Sequence, residues 1–295
     1  MKFLKKLFMP GGTYAMRKRI IALRARMIFD KRKRHRWKWI QNQKALDELV
    51  KRASWGVSYS VFDGEELLED SIKSIRDDVD YINVVYQRHS WYGNPANPKL
   101  VNILNDLKKR GLIDELIEYV PDYNVNAGKQ ERIKRNIGLS YAKKRGVDYF
   151  MCMDTDEFYI QNDVRDAKNY IIKNGITHSF CPVVAYATPT RRSLTPGGCF
   201  VQFFSHIGPL SKLKYNKHNV ALVDPTRQLN HTPFAKYYVL PRLEMHHMTG
   251  YRKNMTQKLK NSSFRGVNNM AAKAFNNLLL SNSVNVKDVF DIRKL

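Results

Sequence analysis

The sequence predicts an α/β fold, with a mostly parallel sheet flanked by helices and a basic helical extension at the N-terminal side. Three observations carry this. Between Trp55 and Phe158, short apolar runs alternate with segments of helical period. Gly111 and Gly146 close two of those helical segments, in the place where a left-handed residue ends a helix. The 43% hydrophobic content is that of a globular chain and argues against wholesale disorder.

The elements follow in order. WGVSYSVF (55–62) is rich in β-formers, and Asp63-Gly64 is a turn signal. EELLEDSIKSIRDD then sets Leu67, Leu68, Ile72 and Ile75 at helical spacing behind an acidic first turn. DYINVVYQ (80–87) is the second strand, and HSWYGNPANP is a loop. PKLVNILNDLKKRG is a helix, and IDELIEYVP is a strand closed by Pro121. KQERIKRNIGLSYAKKRG is the next helix, and VDYFMCM (147–153) is an apolar strand running into DTDEF. Strands separated by helices imply parallel pairing through right-handed crossovers, and such Rossmann-like sheets bind ligands at the carboxyl ends of their strands.

After Phe158 the alternation weakens. ITHSFCPVVAYAT and CFVQFFSHIG read as strands, and RLEMHHMTG as a short strand or turn with two histidines. Residues 251–280 read as a basic helical region. Tyr186, Arg191, Arg192, Phe200, Phe203, Phe204 and His206 combine aromatic and polar groups, of which the Phe residues suit a core.

Charge is placed unevenly. The chain carries +24, and residues 1–55 hold 17 Lys and Arg against 3 Asp and Glu, a net +14. In 16–50 the basic residues are interspersed with Ile20, Ile21, Leu23, Met27, Ile28, Trp37 and Trp39, a mixture suited to an interfacial helix on an anionic membrane. No stretch approaches the roughly 18 uncharged apolar residues of a membrane span, and the N-terminus has no secretory pattern. Cys152, Cys181 and Cys199 show neither disulfide nor zinc spacing. A reducing cytoplasm is expected, with the protein peripheral on the inner face of the membrane.

Asp154-Thr155-Asp156 follows directly on an apolar strand. Two carboxylates two residues apart at a strand end can share one hard cation, Mn²⁺ or Mg²⁺, and bridge it to a substrate phosphate. Neutral imidazole is a frequent further ligand, and His246-His247 supplies two candidates. Adjacent residues on an extended segment face opposite ways, so one of the two is expected to reach the metal. The Asp-x-Asp of haloacid-dehalogenase phosphatases does not fit. Phe158 stands where that pattern needs Thr or Val, and earlier strands precede the motif.

VSYSVFDGEELLEDSIKSI, KQERIKRNIGLSYAKKRGVDYFMCMDTDEFY and EMHHMTGYRKNMTQKLKNS together resemble the GT-A-type glycosyltransferases, close to family 2. The first-strand turn departs from the resemblance, with FDGEE where many relatives have Arg-Asn-Glu. The resemblance implies a metal-dependent enzyme of the bacterial surface-polysaccharide or lipopolysaccharide type, inverting. It would use a nucleotide-sugar donor, expected to be of uridine type, and a glycan or lipid-linked acceptor. It divides the chain into a basic extension (1–54), a nucleotide-sugar-binding half (55–160), and an acceptor half with a C-terminal helical region (161–295).

In that frame Ser60, Phe62, Asp63 and Gln87 lie where the base and ribose bind. His246 matches the first histidine of the family's pattern and joins Asp154 and Asp156 on the metal. The leaving diphosphate needs further positive charge, for which Arg252, Lys253 and Lys258, and Arg132 and Arg135 one helix before the acidic motif, are candidates. Direct displacement also needs a base, and Asp224 or Glu244 is available in the acceptor half. Two other functions compete. A nucleic-acid-binding protein would explain the charge, but that charge lies outside the α/β core and no recognition motif accompanies it. A nucleotidyltransferase would lack its glycine-rich basic loop.

Overall fold

The computed structural model describes residues 48, 52–188, 191–193, 200–214, 225–230, 235–240, 242–262 and 283–285. Nearly all of the predicted basic extension, Cys199, Asp224 and the predicted helical stretch beyond Ser262 lie outside them.

The predicted alternation is present. Strand β1 (Trp55–Val61), helix α1 (Glu65–Lys73), strand β2 (Tyr81–Tyr86), helix α2 (Leu100–Lys109), strand β3 (Glu115–Glu118), helix α3 (Ala127–Arg145) and strand β4 (Tyr149–Met153) follow one another. β1 pairs in parallel with β2 on one side and β4 on the other, and β2 pairs in parallel with β3. The order β3-β2-β1-β4 reverses direction between β1 and β4, and that crevice is where a doubly wound sheet takes its ligand. β2 and β4 are buried along their whole length, as strands covered on both faces must be.

The side chains of β1 divide by parity. Val57, Tyr59 and Val61 join the main core with Leu68 and Ile72 of α1 and Leu100, Leu104 and Leu107 of α2. Ser58 faces α3. There, Gly138 lets the helix backbone approach, because an added Cβ would run into Ser58 Oγ. Asn83 Nδ2 of β2 donates to the Gly138 carbonyl at 3.0 Å and fixes the helix at that height. Asn126 caps α3, accepting from Gly128 N at 3.0 Å.

The second half extends the same sheet with a change of direction. A helix that the sequence reading passes over, α4 (Gln161–Asn174), buries Val164, Ala167 and Ile171 and ends on left-handed Gly175. Strand β8 (Phe200–His206) runs antiparallel to β4, and β6 (His178–Thr188) antiparallel to β8. Phe203 and Phe204 are core residues, with Phe204 edge-on to Trp55 at 4.9 Å. The remaining short strands are β5 (Glu157–Phe158), β7 (Arg191–Ser193), β9 (Leu213–Lys214), β10 (Gln228–Leu229), β11 (Tyr237–Val239), β12 (Met245–His247) and β13 (Ser283–Asn285). The pairing that matters most for the site is β12 with β5, which sets His246 opposite Phe158 and His247 opposite Glu157. Among the described residues no helix is long and apolar enough to cross a membrane.

Candidate active site

A cleft of about 240 Å³ opens at the carboxyl ends of β1 and β4. β1 delivers Ser60, Phe62 and Asp63 to its wall, and β4 delivers Asp154, Thr155, Asp156 and Glu157. Trp91, Glu131, Lys134, Arg227, His247, Arg252 and Lys258 complete its charged and aromatic lining.

Asp156 is buried, and its Oδ2 gathers donors. Arg252 Nε donates at 2.8 Å, Lys258 Nζ at 2.6 Å and Thr249 Oγ1 at 3.0 Å. His247 Nε2 lies 3.5 Å away. Burial alone would raise this carboxyl, but the Arg252 guanidinium, then the Lys258 ammonium and His247, override it and hold it well below the usual carboxylate range. The segment that brings these donors is set by backbone bonds. Met248 N donates to the Asp156 carbonyl at 2.7 Å, and a short helix α5 (Met255–Asn261), capped by Asn254 accepting from Gln257 N at 2.9 Å, carries Lys258.

Arg252 spans the cleft floor. Its Nη1 donates to Asp63 Oδ1 at 2.6 Å and its Nη2 to Thr155 Oγ1 at 3.1 Å. It lies on Gly64, whose φ of 76° is left-handed and where an added Cβ would stand 2.7 Å from Arg252 Nη1. The carboxyl end of β1 is thus tied to residues nearly two hundred positions later.

Asp154 meets a different pair of cations. Arg135 Nη2 lies 3.1 and 3.3 Å from its two oxygens, and Arg227 Nη2 lies 3.0 Å from Oδ2. Arg227 also forms a two-pronged ion pair with Glu157, both contacts at 2.8 Å, in which each side chain is less than 5% exposed. Glu157 Oε2 in turn accepts from Asp154 N at 3.1 Å. Glu157 and Arg227 therefore hold the acidic loop in shape.

The other predicted positions sort by distance from this centre. His246 is buried away from the acidic pair, with Nδ1 3.2 Å from Tyr186 OH. The strand parity that separates the two histidines brings His247, not His246, to Asp156. Gln87 is fully buried beside the cleft rather than in its lining, and its Nε2 donates to the His89 carbonyl at 2.8 Å. Lys253 is exposed, and its backbone N–H donates to Glu66 Oε1 at 2.9 Å. Glu244 is outside the cleft lining. Asp224 is outside the described residues and precedes the Pro225–Arg227 turn that presents Arg227.

The donor set, as it stands, does not fit a divalent ion. Among the described residues no group of three His, Cys, Asp or Glu could hold a metal, and both carboxylates of the Asp-x-Asp already face fixed cations.

Lys134 is a site residue that sequence reasoning missed. Together with Gln130, Arg135, Gly138 and Ala142 it makes the buried face of α3, and its Nζ donates to the Val61 carbonyl at 2.8 Å. The only sequence signal is that the helix's inward stripe is written partly in polar residues. Burial, reinforced by Arg135, pushes its ammonium down to about 7. From there up to the ordinary 10.5, the unfolded chain holds a proton that the folded chain has shed. This group therefore makes stability rise with pH across that window. Urea titrations at pH 7 and 9 are expected to show wild type gaining up to roughly 2–3 kcal/mol relative to Lys134→Met over that interval. Parallel pH profiles for the two proteins would show that the lysine is charged when folded.

No protein-family model matches the chain, and no curated protein matches it in sequence. Partial structural similarity reaches several solved proteins. One is S. aureus TarS 1-349 in complex with UDP-GlcNAc, at 13% identity and a TM-score of 0.35, covering 45% of this chain and 35% of that one. The same protein in complex with UDP gives a TM-score of 0.35 at 13% identity, with 45% and 36% covered. GalNAc-T7 with UDP, GalNAc and Mn²⁺ matches at 13% identity and a TM-score of 0.41, over 70% of this chain and 48% of that one. The chain thus spans about a third of TarS 1-349 and about half of GalNAc-T7.

Proposed function

We propose that the chain is a glycosyltransferase that moves a sugar from a uridine-type nucleotide-sugar donor to a glycan or lipid-linked acceptor, with inversion at the anomeric carbon. One observation carries this reading. The cleft lies at the switch point between β1 and β4, and it sets Asp63, Asp154 and Asp156 against Arg227, Arg252 and Lys258 within one pocket. Cations of that density suit a diphosphate, and carboxylates beside them suit ribose and sugar hydroxyls. The β1 end, with Ser60, Phe62 and Asp63, takes the nucleoside in this reading. The acceptor's proton goes in this reading to Asp224, since Glu244 lies outside the cleft lining. Residues 1–50, with their excess of Lys and Arg, would keep the enzyme against an anionic membrane surface.

A panel of nucleotide sugars tests this directly. A uridine-type donor is expected to raise the melting temperature by several degrees and to release nucleoside diphosphate slowly in water. Such stabilisation follows from mass action, at about 2.7 kcal/mol when the ligand is at a hundred times its Kd. Silence across the whole panel in both assays would sink the reading.

A further inference from the structure

We infer that Lys258 and Arg252, gathered on Asp156, supply at the leaving diphosphate the positive charge for which a divalent ion would otherwise be needed. The inference rests on the donor-binding reading above and specifies how that site works.

The geometry supports it in three ways. First, Asp156 Oδ2 already accepts from Arg252 Nε, Lys258 Nζ and Thr249 Oγ1, so a metal on that oxygen would have to expel them. Second, Arg252 is not a side chain that swings aside. Its Nε, Nη1 and Nη2 are bonded to Asp156, Asp63 and Thr155, and its guanidinium rests on the bare backbone of Gly64. Withdrawing it would break all three bonds around a buried charge. Third, Lys258 Nζ spends two of its three donors, on Asp156 and on Thr249 Oγ1 at 2.7 Å, and it lines the cleft. One ammonium N–H therefore remains for a ligand, and the guanidinium, also in the lining, keeps N–H groups beyond its three bonds. At Asp154 the same pattern recurs with Arg135 and Arg227. An incoming dication would face fixed positive charge at both carboxylates.

In the reaction, an oxygen of the acceptor hydroxyl, or of water, forms a bond to the anomeric carbon. The bond from that carbon to the donor's phosphate oxygen breaks, and its electron pair leaves with the nucleoside diphosphate. The hydroxyl proton passes to the general base or to solvent. Negative charge grows on the departing phosphate, and a preorganised ammonium and guanidinium meet it without reorganisation. Asp156 acts here as the anchor that positions both cations.

The test uses the full chain, with donor-induced thermal stabilisation and nucleoside diphosphate release each measured in EDTA and in Mn²⁺ or Mg²⁺. Calorimetric titration with the metal alone is added. The expected result is donor stabilisation and release that are unchanged by EDTA, no binding of the metal alone, and loss of release by 100-fold or more in Lys258→Met, partly restored in Lys258→Arg. Lys258 is 26% exposed in its side chain, so the variant is expected to fold. Release abolished by EDTA and restored by Mn²⁺ or Mg²⁺ would overturn the inference and leave glycosyl transfer standing. Full release by Lys258→Met in EDTA would overturn it equally. No response to any nucleotide sugar, with or without metal, would take down both this inference and the donor reading beneath it.

Discussion

Arg227→Met is expected to cost about 3–5 kcal/mol of unfolding free energy, the size seen when one partner of a buried ion pair is removed. Glu157 and Arg227 are both below 5% exposed, and among the described residues the substitution leaves the buried Glu157 carboxylate with Asp154 N as its donor. For a chain of this size the loss corresponds to a fall in melting temperature of about 10 °C. Urea or thermal denaturation would measure it. The double variant Arg227→Met/Glu157→Gln is expected to recover most of the stability, since the amide removes the stranded charge. A single-variant loss below about 1 kcal/mol would show that water reaches Glu157 and that the pair does not shape the acidic loop.

The second large effect is on activity. Asp156→Ala and Asp154→Ala are each expected to abolish donor turnover, by 100-fold or more, and to remove the stabilisation given by a uridine nucleotide. Asp156 is the common acceptor for Arg252, Lys258 and Thr249, so its loss removes the anchor that the two cations share and lets them shift. Misplacement by about 1 Å at a reacting centre is enough to cost about two orders of magnitude. The same carboxyl also shapes the acid limb of stability. Its folded value lies well below the ordinary 3.8, so its contribution is full above the ordinary value and is lost progressively as pH falls from there towards the folded value. Asp156→Ala should therefore flatten the wild type's decline there. Nucleotide stabilisation and turnover that survive both alanine variants would remove the acidic pair from the site.

The first half of the fold was legible because its signals are local. Each strand of β1, β2 and β4 is a short apolar run, and glycines end α2 and α3 at the predicted places. Helix α4 carries the same kind of signal in Val164, Ala167 and Ile171, but the surrounding residues are polar enough to mask a narrow stripe. The site divides in the same way. Asp154 and Asp156 are adjacent to their strand, so position alone marks them. Arg227 reaches them by way of the short β9–β10 pair, and Lys134 by the rotation of α3 against β1. Neither arrangement leaves a trace in residue spacing. The two histidines show how narrow the margin is. Period-two alternation says that they part company, but only the register of β12 against β5 says which of them meets Asp156.

That register also bears on the order of synthesis. A ribosome makes the acidic loop roughly ninety residues before it makes the β12–α5 segment, an interval of several seconds at ordinary elongation rates of about 5–20 residues per second. Until then Asp156 sits on a nascent chain without Arg252 or Lys258 as its counterions. The growing polypeptide can therefore close its parallel sheet early, yet the candidate site stays incomplete until the late segment docks.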